Sequence, residues 1–317
     1  MTGRPAQGSA GLVGAGLIVT AAVCFGTLGP VTRYADDAGV ASLAIVAWRA
    51  GLGATAMILL LLVLRGGAGR RTLALRDIPS ADRRFIAAAS AANLVLNLAM
   101  FIAFVRIEIG LALLVFYLYP AVVAVASILW FGERLDALRW AALGLSMFGL
   151  VLTLAGSGSL GDLDGLGIGL SLLAAMTQAF YVLSARHGFA RIPPIESAAM
   201  TMGGAAAGYV VIALAIGQLG DLGAPLDSSE ALLPVLMAGL LGAAIPTLCF
   251  ITGIRLLGAP RAAILATLEP VVGVGLAAWL LNEQPAGLQL VGGTLILVAA
   301  VLLQLGGRTA SEHEAVA

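Results

Sequence analysis

The sequence predicts an all-α integral membrane protein of ten transmembrane helices arranged as two inverted five-helix repeats. Three observations carry this expectation. The 317 residues are 60% hydrophobic and 11% charged, with a mean hydropathy of +1.03, whereas a soluble domain carries roughly 25% charged residues. A proline inside an apolar run, followed thirteen residues later by a glutamate, occurs twice, as Pro120 with Glu133 and as Pro270 with Glu283, 150 residues apart. Matched positions of these rare types mark a duplicated unit. The arginines, in turn, collect on one side of the spans so defined.

A bilayer core of about 30 Å takes some twenty apolar residues as helix, because each backbone polar group must find its partner within the segment. Runs of this kind lie at 11–33, 40–64, 84–105, 109–131, 138–156, 165–186, 196–218, 231–256, 260–281 and 287–305. The first is read as an uncleaved span, since only Arg4 precedes it and Val23 occupies the place where a lipoprotein cleavage site needs a small residue. The second contains Arg49, and the third Asn93 and Asn97. Pro120 interrupts the fourth, which ends at Glu133; the fifth is short and uncharged from Trp140 on. Gln178 and Tyr181 share a face of the sixth; Gly165-xxx-Gly169 there and Gly204-xxx-Gly208 in the seventh permit close helix contact. Pro246 interrupts the eighth, Glu269-Pro270 the ninth, and the tenth runs to a polar tail.

With the N-terminus cytoplasmic, fourteen of the seventeen arginines fall in cytoplasmic segments, Arg33 and Arg106 fall opposite, and Arg49 lies within a span. Retention of basic residues on the cytoplasmic side fixes that orientation. Five spans per half is an odd number, so the second half crosses the membrane in the opposite sense. The expected organisation is a cytoplasmic segment 1–10, a first repeat 11–156, a second repeat 165–305 and a disordered cytoplasmic tail 306–317, in a multi-pass protein of the cell (inner) membrane. Inverted repeats suit secondary transport, because exchanging the conformations of two similar halves turns an outward-open cavity inward.

Several function classes are disfavoured. The formal net charge is zero and no basic face exists, which argues against a nucleic-acid partner. Cys24 and Cys249 fall in apolar runs and read as small buried hydrophobes. His187 and His313 stand in a loop and in the tail without a ligand-spaced partner, so neither a metal nor another cofactor is expected.

Glu269 is the most informative residue, since an ionised group in mid-span costs roughly 2.5–3.5 kcal/mol. It reads either as a proton site or counter-ion for a cationic substrate group, or as a structural partner locking helices. Its repeat mate is Tyr119 beside Pro120, so a carboxyl and a phenol stand at matching positions. Pro120 and Pro270 each remove a donor and free the carbonyls of Phe116 and Ala266, and Pro30 and Pro246 do similar work in the first and eighth spans; these four read as simple helix kinks or as openings whose carbonyls bind substrate. Arg49 can snorkel, pair with Glu269 or hold a substrate carboxylate. Asn93 and Asn97 share a face with Phe101 and Phe104, and with Gln178 and Tyr181 they either line a cavity or join helices. Glu133 and Glu283 read as structural groups serving the start of the following helix.

Two segments complete a familiar pattern: Phe116-Tyr117-Leu118-Tyr119-Pro120 through Gly132-Glu133, and Leu268-Glu269-Pro270 through Asn282-Glu283. With Cys24-Phe25-Gly26-Thr27 and Trp48-Arg49, they make the chain resemble the EamA family of the drug/metabolite transporter superfamily over residues 11–305. That resemblance implies a central cavity lined by spans one, three, four, six, eight and nine, which brings Tyr117 in beside Tyr119. It also implies an exporter of amino acids or related small metabolites. The partners expected are a lipid bilayer, a small-molecule substrate and, from the Glu269 reading, protons as a candidate coupling ion. The rival readings are an integral-membrane enzyme acting on a lipid or lipid-linked substrate, for which no convergent catalytic cluster is visible, and a passive channel.

Overall fold

The computed structural model describes residues 7–28, 31, 35, 38–68, 78–107, 109–133, 135–155, 164–227, 229–280 and 286–316. Among these the chain is helical throughout. The elements are α1 (Gln7–Gly26), α2 (Ser42–Ala68), α3 (Ser80–Arg106), α4 (Ile109–Phe116), α5 (Tyr119–Phe131), α6 (Ala137–Ala155) and α7 (Gly165–Leu183). They continue as α8 (Pro194–Ala215), α9 (Ser229–Gly239), α10 (Ile245–Leu257), α11 (Ala259–Ala266), α12 (Leu268–Leu280) and α13 (Gly287–Val316). Among the described residues six stretches are long and apolar enough to cross a membrane: Ser42–Leu64, Ser80–Ala103, Ala112–Phe131, Gly165–Gly188, Pro194–Ala215 and Ser229–Leu257. Ala10–Gly26, Ala137–Thr153 and Gly287–Leu302 are shorter apolar helices. Large apolar side chains face outward, with Leu129, Trp130 and Trp279 more than 70% exposed, as a lipid-facing surface requires.

Local chemistry sets the helix ends. The Asp164 carboxylate accepts from the Leu166 amide at 2.9 Å and so caps α7. Gly132, at φ 64°, closes α5, with the Glu133 amide reaching back to the Ser127 carbonyl at 3.1 Å. The prolines account for the interruptions. Pro120 and Pro270 cannot donate to the carbonyls of Phe116 and Ala266, and their rings press on the turn before them. The fourth apolar run accordingly divides into α4 and α5 around Tyr117 and Leu118, and the ninth into α11 and α12 at Thr267.

Packing repeats when each half is exchanged for the other. α1 lies on α10 as α7 lies on α3; α2 meets α9 as α8 meets α3; α1 contacts the divided α11–α12 as α7 contacts α4–α5. The contacts α2–α8 and α6–α13 map onto themselves, whereas α5–α11 joins the second piece of one divided helix to the first piece of the other. α6 and α13 approach most closely through glycine: a β-carbon on Gly292 would stand 2.3 Å from the Gly149 carbonyl oxygen. Gly204 and Gly208 likewise admit Ser90 and Leu94 of α3, but Gly165 and Gly169 face open space. It is Gly167 between them that meets a neighbour, Ile107. α13 continues helically to Val316, where the sequence suggested disorder; Ala310, Glu312, Glu314 and Ala315 are residues that support a helix.

Candidate functional site

The two divided helices meet in the middle of the bundle, α5 against α11, and bring the residues of their breaks together. Tyr117 and Tyr119 are buried, at 1% and 2% exposure, with Phe116 between them; ring centroids lie 5.2 Å (Phe116–Tyr117), 5.4 Å (Phe116–Tyr119) and 6.1 Å (Tyr117–Tyr119) apart. Glu269, in the first turn of α12, is half-buried and lies within reach of the Tyr117 hydroxyl. Tyr119 lies within its electrostatic reach and beside the Gln178 side chain of α7. Gly26 lets α1 close over this break: a β-carbon there would stand 3.2 Å from the Glu269 carbonyl oxygen. Phe25 and Phe250 meet edge to face at 6.4 Å nearby, linking α1 to α10.

Arg49 reaches the same region from α2, and its contacts follow from a proline. Pro246 cannot donate to the Gly242 carbonyl, and the chain there opens into a π-turn, Leu240–Ala244. Arg49 Nε donates to that orphan carbonyl at 3.1 Å. Its NH1 donates to Asn97 Oδ1 at 2.7 Å, and Asn97 Nδ2 in turn donates to Asn93 Oδ1 at 3.0 Å and to the Asn93 carbonyl at 2.7 Å. Glu269 and Tyr209 are within electrostatic reach of the guanidinium. Arg49 therefore neither snorkels nor forms a direct ion pair with Glu269. It joins α2, α3 and α9–α10 through neutral acceptors, with the carboxylate as a more distant counter-charge.

Of the residues singled out in the sequence, Arg49, Asn97 and Asn93 are joined by hydrogen bonds, and Glu269, Tyr117, Tyr119 and Gln178 gather within electrostatic reach of one another. Tyr181 lies one turn along α7 from Gln178, buried at 5% exposure. Pro120, Pro246 and Pro270 stand at the interruptions, whereas Pro30 and Glu283 lie outside the described residues. Sequence reasoning missed Tyr209, whose hydroxyl donates to the Leu94 carbonyl at 3.2 Å. It also misread Glu133 and His187. Glu133 does not serve the start of α6, where Asp136 Oδ1 accepts from the Arg139 amide at 2.8 Å. It pairs with His187 Nε2 at 3.3 Å, and the imidazole stacks on Phe131 at 3.7 Å and 7°. Cys24 and Cys249 are free and half-buried rather than fully enclosed.

The geometry has clear parallels among known proteins. The model of the EamA-like transporter family matches residues 12–155 and again 165–305. An uncharacterized transporter, sll1319, of Synechocystis sp. (strain ATCC 27184 / PCC 6803 / Kazusa) is 26% identical over 209 residues, covering 64% of this chain and 61% of the relative's own length. A solved crystal structure superposes with a TM-score of 0.75 at 20% identity, over 95% of this chain and 98% of that one, a likeness of fold.

Proposed function

We propose a mechanism for this chain, which belongs to the EamA-like transporter family and is a multi-pass membrane transporter built from two repeats. The reading is a secondary transporter of the cell (inner) membrane with ten spans as inverted five-helix halves at 11–156 and 165–305, both termini cytoplasmic, exporting amino acids or related small amphipathic metabolites by alternating access. One observation carries it: at the meeting of two proline-divided helices, deep in an apolar bundle, Glu269, Tyr117, Tyr119, Gln178 and Arg49 gather within electrostatic reach of one another. Charge at that depth is costly, and it persists where it serves a substrate or ion pathway. The freed Phe116 and Ala266 carbonyls stand beside it, the arrangement by which discontinuous helices hold cargo near the midplane.

In this reading Glu269 meets the ammonium group of the cargo or, between cargoes, a proton. Phe25, Phe250 and Phe116 accept its apolar part. The carboxylate–phenol asymmetry between Glu269 and its repeat mate Tyr119 allows the halves to exchange conformation while only one carries the titrating group. Counterflow in proteoliposomes tests this. Vesicles loaded with a panel of unlabelled amino acids and amines should accumulate the labelled form of at least one of them transiently, with saturation. Glu269→Gln should retain exchange while losing accumulation driven by a pH gradient. Flux that neither saturates nor shows counterflow would indicate a channel, and turnover of a lipid substrate without flux would indicate an enzyme.

A further inference from the structure

A second polar cluster lies at the Arg186 end of the bundle, which is cytoplasmic in the proposed topology. Arg255, in the last turn of α10, donates through NH1 to the Ile192 carbonyl, and through NH2 to Ser197 Oγ at 3.0 Å and the Phe189 carbonyl at 3.3 Å. Its guanidinium stands 6.0 Å from the Phe189 ring centroid, and its own carbonyl accepts from Arg186 NH1 at 2.7 Å. The headgroup is thus held rigidly, yet Nε is buried and has no acceptor. Facing it, the Tyr181 hydroxyl is also buried and makes no hydrogen bond, although the Thr201 hydroxyl lies within reach. Glu196 is within electrostatic reach, but among the described residues no carboxylate forms an ion pair with Arg255.

Two buried donors on different helices, one of them charged, both stand without a hydrogen bond. Leaving a buried cation without its counter-charge is costly, and a carboxylate accepts from both kinds of donor at once. Tyr181 is one turn, about 4.5 Å of helix rise, from Gln178, and Gln178 lies beside Tyr119 of the central cluster. We propose that Arg255 and Tyr181 form a carboxylate-binding station between the cytoplasmic face and the central site, which receives the acid group of the cargo before its ammonium group reaches Glu269. The station rests on the transport reading above, and it makes the cargo class zwitterionic.

The test separates the two charges. Purified full-length protein in detergent is titrated by thermal shift with 4-methylpentanoate, which carries only the carboxylate, and with isoamylamine, which carries only the ammonium. Ligand that binds the folded state raises the melting temperature by mass action. Because Arg255 also clamps the 189–192 turn, Tyr181→Phe is the primary variant: it removes a single hydroxyl and leaves the ring and the clamp in place. The expected result is about tenfold weaker 4-methylpentanoate binding, the loss of one hydrogen bond to a charged group, with isoamylamine binding intact and the ligand-free melting temperature unchanged or raised. The station is overturned if 4-methylpentanoate fails to bind the wild type, binds Tyr181→Phe equally well, or if the variant melts lower without ligand. Leucine counterflow keeps the two readings apart. Its persistence when carboxylate binding ignores Tyr181 leaves transport standing without the station. Its absence, together with Tyr181-dependent binding, removes transport alone.

Discussion

Arg49 and Glu269 show what single residues contribute and how much of it was legible. An arginine and a glutamate in mid-membrane were plain in the sequence, because charge is rare there. Their partners were not, since they depend on which helices meet. The Gly242 carbonyl could have been found from Pro246 four positions on, but nothing local says that Arg49, almost two hundred residues away, would satisfy it. Arg49→Gln should lower stability by about 1–3 kcal/mol, the cost of leaving a buried acceptor unpaired. Arg49→Lys should restore little of it, because an ammonium cannot span two acceptors as the guanidinium fork does. Thermal unfolding in detergent measures both. Outside the spans, Asp164 provides a pH handle. The Leu166 amide first, and Arg106 second, hold its carboxyl below the ordinary carboxylate value. A lowered folded-state value means that its contribution is complete above the unfolded pKa and vanishes as pH falls through the folded one. The melting temperature should therefore fall in acid below about pH 4, and Asp164→Asn should shallow that limb; an identical acid limb in the variant would assign it to other carboxylates.

At the scale of elements, the prolines determine where helices divide, and the sequence revealed this because a missing N–H is a local fact. It did not reveal that the divisions would meet, nor that the freed carbonyls would have different fates. The Gly242 carbonyl is taken by Arg49, whereas those of Phe116 and Ala266 receive no backbone donor among the described residues. Pro246→Ala restores an amide able to bond Gly242, so it should recover part of the stability lost in Arg49→Gln. Simple addition of the two losses would show that the π-turn has another cause. Pro120→Ala and Pro270→Ala should insert and fold normally yet transport poorly, because straightening either helix moves Tyr117, Tyr119 or Glu269. Full transport by both variants would confine these prolines to packing. The His187–Glu133 pair escaped sequence reading for the same reason as Arg49's partners: Phe131, Glu133 and His187 become neighbours only when α5 and α7 pack.

For the whole molecule, duplication was the strongest message in the sequence, and the exchangeable packing pairs give it physical form: α1 on α10 mirrors α7 on α3, and α6 holds α13 through Gly149 and Gly292. The α13 extension was not legible, because a polar tail is compatible with either helix or coil. Inversion and orientation rest on the arginine asymmetry. Reporter fusions after Asp162 and after Arg191 should report opposite sides, the second cytoplasmic; agreement between them, or the reverse pair, would refute the ten-span arrangement. The central claim is that one polar cluster at the helix breaks opens alternately to both faces. Gln178→Cys, in a background with Cys24 and Cys249 replaced, tests it most directly through labelling by a membrane-impermeant thiol reagent. The account predicts modification from either side of the membrane and protection by a transported cargo from both, while labelling confined to one face, or indifferent to cargo, would contradict it.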